Sequence, residues 1–511
     1  MQIDKGMNPA MKTHTAAALL LSLMICAGLA SCADEPNAGN ETGTPDTAAT
    51  SDVTDTVTEE IDPLAELDFG GEEIRFFISS FDLNGWGPSD YLIETPEEET
   101  GDVVSDAVYK RNHAVEDLLN VTLSFSETDE DWNSIPSTLS QTILAGDDAY
   151  DAVSSFLFPL ASMSVEGYFL NAEDGKYFDF SQDYWNREYM SELSFGTDGT
   201  TYLLSGDMYL DMIRSSMCIY FNKDIFRDYF DDADLLYDVV LDGGWTYDTM
   251  LSYVSECYSD VNGDSTKDAG DIYGFGYVGK WGSAYPFEIS ADLTFLSYES
   301  DGHPVLSLNN ERSVGVLDFL NELFYHANAY DFGGVTENNN AFKSGNVLFS
   351  GCQMIASFDS FRDMEAEIGI LPYPKYDENQ KTYVTPGSDV ANVGVIPNTC
   401  QKLDTVSAVL EALCRATGDT VLPAYYETAL KVKYSRDDAT SQMLDLIRDG
   451  VSCVFPLAYG NYCENVPLYH AFTDPLVLKS TDFVSNYVKW ETKAQAKLDE
   501  LWDAFSTLEN Q

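Results

Sequence analysis

The sequence predicts an α/β protein built as two doubly wound lobes, and three observations carry that prediction. Strand-length apolar runs alternate with amphipathic helical spacings from Ile74 to Ser154. The same alternation resumes at Ser216. Of the 511 residues, about 445 follow a leader and a polar linker, too many for one hydrophobic core. With 44% hydrophobic and 13% aromatic residues, the chain has apolar material for two.

The elements follow in order. Glu73-Ile74-Arg75-Phe76-Phe77-Ile78-Ser79-Ser80, between Gly70-Gly71 and a turn at Asn84-Gly85, reads as a buried strand. Asp102 is placed to cap a helix in which Val104, Ala107, Val108, Arg111, Val115, Leu118 and Leu119 recur near a 3.6 period. A strand over Val121 to Phe125, a helix over Ile135 to Ala145 and a strand over Tyr150 to Ser154 complete a β-α-β-α-β series. Such a series predicts a parallel sheet with helices on both faces. Beyond the strand Ser216 to Phe221, Thr246 caps a helix with Met250, Leu251, Val254 and Cys257 on its inner side. Trp245, before that cap, and Trp490 and Trp502, on a C-terminal helix, read as core.

Residues 1–31 read as a lipoprotein signal peptide: Lys12 is the positive flank, Ala16 to Ile25 the apolar run, and Leu29-Ala30-Ser31-Cys32 a lipobox. Lipid attachment at Cys32 is therefore expected; the alternative is an ordinary signal peptide cut nearby. Residues 32–66 are acidic, rich in Thr and Ala, and from Ala33 on hold no Lys, Arg or aromatic residue. A segment of that kind buries too little apolar surface to offset its ordering entropy and is expected to be a disordered tether. No other apolar run is long enough to span a bilayer, which predicts a protein held by lipid alone on the extracytoplasmic face of the cell membrane.

The formal net charge is −59, with 86 acidic against 27 basic residues spread along the chain. That balance excludes nucleic acid and anionic ligands held by a basic patch. Only 5 His leave few candidates for His-based catalysis. Of the nine Cys, Cys26 leaves with the leader and Cys32 is the lipid site; Cys218, Cys257, Cys352, Cys400, Cys414, Cys453 and Cys463 remain. An odd number precludes a complete intramolecular disulfide set, and without CxxC neither a thiolate zinc site nor a thioredoxin-like centre is expected. Most sit among apolar neighbours, as small core residues do.

Several segments carry a family resemblance. They are Ala145-Gly146-Asp147-Asp148-Ala149-Tyr150-Asp151, Tyr220-Phe221-Asn222-Lys223-Asp224, and Gly243-Gly244-Trp245-Thr246-Tyr247-Asp248. With them go Phe342-Lys343-Ser344-Gly345-Asn346-Val347-Leu348-Phe349, Ile368-Gly369-Ile370-Leu371-Pro372-Tyr373-Pro374-Lys375 and Val395-Ile396-Pro397-Asn398. In order and spacing they resemble extracellular solute-binding lipoproteins of ABC importers, best the carbohydrate-binding, maltodextrin-like branch known as family 1. The resemblance implies a periplasmic-binding-protein-like fold of type II, two lobes joined by hinge strands. Crossings are expected near Tyr209 to Ser215, Pro386 to Val393 and Thr417 to Tyr425. The N-lobe is then 67–212 with 392–420, and the C-lobe 213–391 with 421–511. It further implies a monomeric, non-enzymatic receptor that captures a neutral oligosaccharide between its lobes and hands it to ABC permease subunits. A surface glycan-degrading enzyme and a non-transport glycan-binding adhesin are the alternatives.

Three local patterns bear on chemistry. Asp260, Asn262, Asp264, Thr266, Asp268 and Asp271 fall at positions one, three, five, seven, nine and twelve of a Ca²⁺ loop, with Ser265 replacing the usual Gly at six and Asp271 the usual Glu. A structural Ca²⁺ is expected there, against the plain alternative of a polar turn. Gly274-Phe275-Gly276-Tyr277-Val278-Gly279 satisfies GxGxxG, but the following Lys280 to Pro286 is not expected to open the helix that a dinucleotide site needs. A sugar site asks for aromatic faces and for carboxylates or amides after strand C-termini. On that rule the candidates are Trp86, Asp90, Phe158, Asp207 and Tyr209 from the first lobe, and Trp281, Tyr285, Gln353, Asp359 and Asp389 from the second.

Overall fold

A computed structural model describes residues 62–80, 93, 98–194, 200–230, 232–354, 358–361, 364–425, 438–452 and 454–508. The leader and Cys32 lie outside the described residues, as do Trp86 and Asp90. The tether expectation needs one correction at its end. Leu64 is buried in the core and Asp62 pairs with Arg415 at 2.8 Å, so folded structure begins before residue 67. The Arg415 hydrogen bond holds the Asp62 carboxyl below the ordinary carboxylate value.

The strands along the chain are β1 (Glu72–Ser79), β2 (Val121–Thr128), β3 (Ala152–Phe156), β4 (Met217–Asn222), β5 (Tyr258–Ser259), β6 (Ile272–Tyr277), β7 (Leu296–Tyr298) and β8 (Pro304–Leu306). They continue as β9 (Ala329–Asp331), β10 (Val347–Met354), β11 (Ile368–Leu371), β12 (Thr385–Pro386), β13 (Asn392–Val395) and β14 (Val451–Ser452). One sheet has the order β13-β3-β1-β2, with β1 parallel to β2 and β3, and β13 antiparallel to β3. The other has the order β11-β4-β10-β6-β5, with β9 also beside β6. There β10, β6 and β9 run parallel, while β4 opposes both β10 and β11.

The sheets are thus mixed, where the sequence predicted parallel ones; β5 opposes β6 across a local loop, and for β4 and β13 the crossings are the reason. β4 is the first strand after the chain leaves the first sheet, and β13 is the strand on which it returns. A chain arriving from the opposite lobe enters where the resident strands end, and so runs against them. The C-terminal ends of β3, β6 and β10 consequently point to the space between the sheets.

Local chemistry sets the helices. Asp102 accepts the amides of Val104 and Ser105 to open the helix Val103–Leu119, which closes on Asn120 in the left-handed region. Its Val115 and Leu119 share a core with Val409 and Leu413 of the helix Leu403–Asp419. Thr246 accepts the Thr249 amide to cap Tyr247–Glu256, burying Met250 and Val254. Trp245 is wholly buried, its indole donating to the Pro372 carbonyl at 2.9 Å. Trp490 and Trp502 are only half-buried. Cys218, Cys257, Cys400, Cys414 and Cys463 are all buried.

The connection between the sheets is stitched. The short helix Asp211–Arg214 precedes β4, and its Asp211 carboxylate accepts the amide of Asn392 at the start of β13 (3.0 Å) while pairing with Arg214 at 3.1 Å. After β14 the chain is tied to the first half: the Tyr462 hydroxyl donates to the Ser162 carbonyl, and the Tyr459 hydroxyl donates to that of Leu193. The final helix Phe483–Leu508 ends with Phe505 against Tyr202, at 6.0 Å between ring centroids. No helix of the described residues is long and apolar enough to cross a membrane.

Candidate ligand-binding cleft

Strand ends that face the opposite lobe bring their following turns together. β3 runs directly into the helix Leu157–Val165, so Phe158 stands in its first turn. β6 ends at Tyr277, Gly279 turns the chain at φ 63°, and the helix Lys280–Ser290 opens with Trp281 in its first turn. Asp389 lies just before β13, its carbonyl accepting the Phe158 amide at 3.2 Å. Together with Asn461, Asn465, Leu468, Tyr469 and His470, these residues line a cleft of about 430 Å³.

Rings dominate one wall. Trp281 is 39% exposed, and its ring lies 5.6 Å from Tyr285 on one side and 5.6 Å from Tyr469 on the other. Tyr285 is buried, so it supports Trp281 from behind and offers the cleft no face of its own. Burial pushes the Asp389 carboxyl up to about 6, with backbone hydrogen bonds pulling the other way. No Lys or Arg stands among the described lining residues, and Asp389 is the one acid. His470 is engaged outside the cleft: Nδ1 lies 2.6 Å from an Asp474 carboxylate oxygen, and its ring stacks on Trp490 at 4.2 Å and 13°. Such a wall stacks on the C–H face of a sugar ring, while a carboxyl and two amides meet hydroxyls. A glycosidase needs two facing carboxyls, which the described lining does not assemble.

Gln353 lies on β10 opposite Cys218, and Asp359 in the short helix Phe358–Phe361 beyond it. Asp207 and Tyr209 are not brought to the cleft, which corrects the sequence expectation. They border a separate cavity of about 550 Å³ with Trp185 and Arg448. Burial pushes Asp207 up to about 6, against a lowering influence of Arg448. Tyr209 is a core residue whose phenol packs where any side chain at Gly394 would have to go. Tyr469, Asn461 and Asn465 escaped the sequence rule because they follow no strand; they sit on the returning C-terminal segment. The two successive left-handed residues there, Glu464 (φ 58°) and Asn465 (φ 57°), leave no trace in an apolar pattern.

The glycine motif also needs correction. A strand and a helix do flank it, since the helix opens at Lys280 with Pro286 inside. What excludes a phosphate cradle is that Gly274 and Gly276 lie within β6. A side chain at Gly274 would strike the Val254 backbone, and one at Gly276 the Asn338 amide oxygen. Those glycines serve close packing.

The Asp260–Asp271 loop joins the antiparallel pair β5 and β6. Its oxygens are turned to the loop's own donors. Asp260 accepts the amides of Gly263 and Ser265, Asp264 that of Thr266, and Asp268 that of Gly270. Asp271, fully buried, accepts the Tyr258 hydroxyl at 3.0 Å and the Val261 amide at 3.2 Å. Ser265 takes φ 63°, the left-handed region usual for Gly at that place. Among the described residues no group of three or more His, Cys, Asp or Glu is gathered to hold a metal ion.

No protein-family model and no curated protein sequence matches the chain. Solved structures do share its fold. One is an ABC-transporter solute-binding protein from Thermotoga lettingae TMO bound with α-D-tagatose: TM-score 0.53 and 11% identity, covering 84% of this chain and 100% of that one. Another is a cyclo/maltodextrin-binding protein complexed with maltotetraose: TM-score 0.54 and 12% identity, covering 86% and 97%. The chain has the type II periplasmic-binding-protein fold. A third such structure is the galacto-N-biose/lacto-N-biose I-binding protein of an ABC transporter from Bifidobacterium longum, with lacto-N-biose: TM-score 0.53 and 12% identity, covering 86% and 98%.

Proposed function

We propose that this protein is a lipid-anchored, extracytoplasmic receptor that captures a neutral oligosaccharide between its lobes and delivers it to an ABC permease. The observation that carries the reading is the cleft: Phe158 from one lobe, Trp281 from the other and Tyr469 from the returning segment present aromatic faces beside one carboxyl, with no Lys or Arg among the described lining. The sugars bound by the three fold relatives support the ligand class. Ligand that touches both lobes stabilises the closed arrangement over the open one, so capture and closure are one event. No bond is made or broken. Incubation with maltotetraose or lacto-N-biose is expected to change tryptophan fluorescence with no product released; hydrolysis of either sugar would contradict the reading.

Anchoring by lipid on Cys32 belongs to the same reading, supported by the leader and lipobox. Replacing Cys32 with Ser is expected to release the protein from the membrane fraction. Structural Ca²⁺ at Asp260, Asn262, Asp264, Thr266, Asp268 and Asp271 is proposed from the ligand types and the left-handed Ser265. It requires the carboxylates to exchange their amide bonds for the ion. Chelation is then expected to lower the melting temperature by several degrees, and an unchanged temperature with no calcium recovered would refute it.

A further inference from the structure

We infer that His470 is a positioning residue for ligand capture: it clamps the π-helical turn Val466–Thr473 to Trp490 of the C-terminal helix and so fixes the Tyr469 ring beside Trp281. The inference rests on the sugar-capture reading for its consequence, but its geometry stands apart from it.

The turn is an unfavourable one to hold. The His470 amide donates to the carbonyl of Asn465, five residues back, at 3.1 Å, and the turn is entered through the two left-handed residues Glu464 and Asn465. Neither is glycine, so both positions are strained. Single π-turns of this type persist where something outside the helix holds them, and they gather at functional sites. Here two contacts from outside the turn, Trp490 and Asp474, hold it through one side chain, which in turn meets Tyr469. The imidazole lies flat on Trp490 at 4.2 Å and 13°, its Nδ1 is 2.6 Å from Asp474, and it forms a T-shaped pair with Tyr469 at 5.3 Å and 87°. Tyr469, 37% exposed, then meets Trp281 at 5.6 Å and 54°.

The result is a continuous file of rings, Trp281, Tyr469, His470 and Trp490, from the cleft to the last helix. Trp490 is not among the described lining residues. A loss of sugar affinity on removing Trp490 therefore reports position and not contact. An aromatic pair binds a sugar ring only if both faces are held at fixed spacing before the ligand arrives, because ordering them on binding subtracts from affinity.

The test uses the whole protein with His470→Ala, His470→Phe, Trp490→Ala, Tyr469→Ala and the double variant His470→Ala with Tyr469→Ala. Binding of maltotetraose and lacto-N-biose is read by calorimetry, and amide hydrogen exchange over residues 464–474 is read without sugar. His470→Ala and Trp490→Ala are each expected to weaken binding about tenfold and to speed exchange in that segment about tenfold. His470→Phe keeps the stacked ring and is expected to return to within about threefold of the parent. In the Tyr469→Ala background, His470→Ala is expected to add less than about twofold, since it acts through Tyr469. Unchanged exchange in His470→Ala, or a full further loss in the double variant, overturns the inference. If the parent binds neither sugar, the capture reading fails for these probes and exchange alone decides. Acceleration confined to 464–474 then upholds the clamp, and its absence overturns it.

Discussion

Single side chains in this protein separate into those that build the cleft and those whose chemistry is spent on the fold. Glu288, on the helix that carries Trp281, is wholly buried with no hydrogen-bond partner for either carboxylate oxygen among the described residues. Burial holds its carboxyl well above the ordinary value. The sign follows: an acid raised in the folded state costs nothing below its unfolded-state value and costs stability increasingly as pH rises above it. Glu288→Gln is therefore expected to match the parent in stability at acidic pH and to gain on it as pH rises to 7, read from urea unfolding at both pH values. A gain independent of pH would assign the effect to packing. At this scale the sequence was partly legible. Phe158, Trp281 and Asp389 are brought to one cleft lining, and the strand-end rule reaches Phe158 and Trp281 because β3 and β6 carry local strand signals. Tyr469 and His470 could not, because a π-turn has no period that an apolar pattern records. Asp207 and Tyr209 obeyed the rule and still lie elsewhere, because the rule reads chain order and not which side of the crossing a side chain faces.

Among the elements, the crossings decide the architecture, and their chemistry is specific. Asp211 accepts the Asn392 amide and holds Arg214, joining the outgoing helix to the returning strand inside a buried environment. Asp211→Ala leaves that amide without its acceptor and is expected to cost about 1–3 kcal/mol in urea unfolding. Gly394→Ala, two residues along β13 from Asn392, forces the Tyr209 phenol out of its place and is expected to cost about 2–3 kcal/mol, with partial relief when Tyr209 is also shortened to Phe. Strand and helix identities were legible because their signals are local: Asp102 and Thr246 cap where expected, and the apolar runs of β1 to β4 form strands. Strand direction was not. Whether β4 and β13 run with or against their neighbours depends on where the chain came from, and no residue within either strand encodes that.

Across the whole molecule, a strongly acidic protein of net charge −59 folds as two α/β halves around a gap lined by rings. Such a charge keeps copies apart and repels anions, which suits a receptor for a neutral ligand. The returning segment 455–508 touches both halves, through Tyr462 to Ser162 on one side and the ring file ending at Trp281 on the other. The most direct test of the central claim is a thermal-shift screen of the purified protein against a panel of neutral oligosaccharides and unrelated charged metabolites, with Trp281→Ala in parallel. At least one neutral oligosaccharide is expected to raise the melting temperature of the parent by several degrees and to lose most of that shift in Trp281→Ala. Shifts from charged ligands with none from any sugar would contradict it.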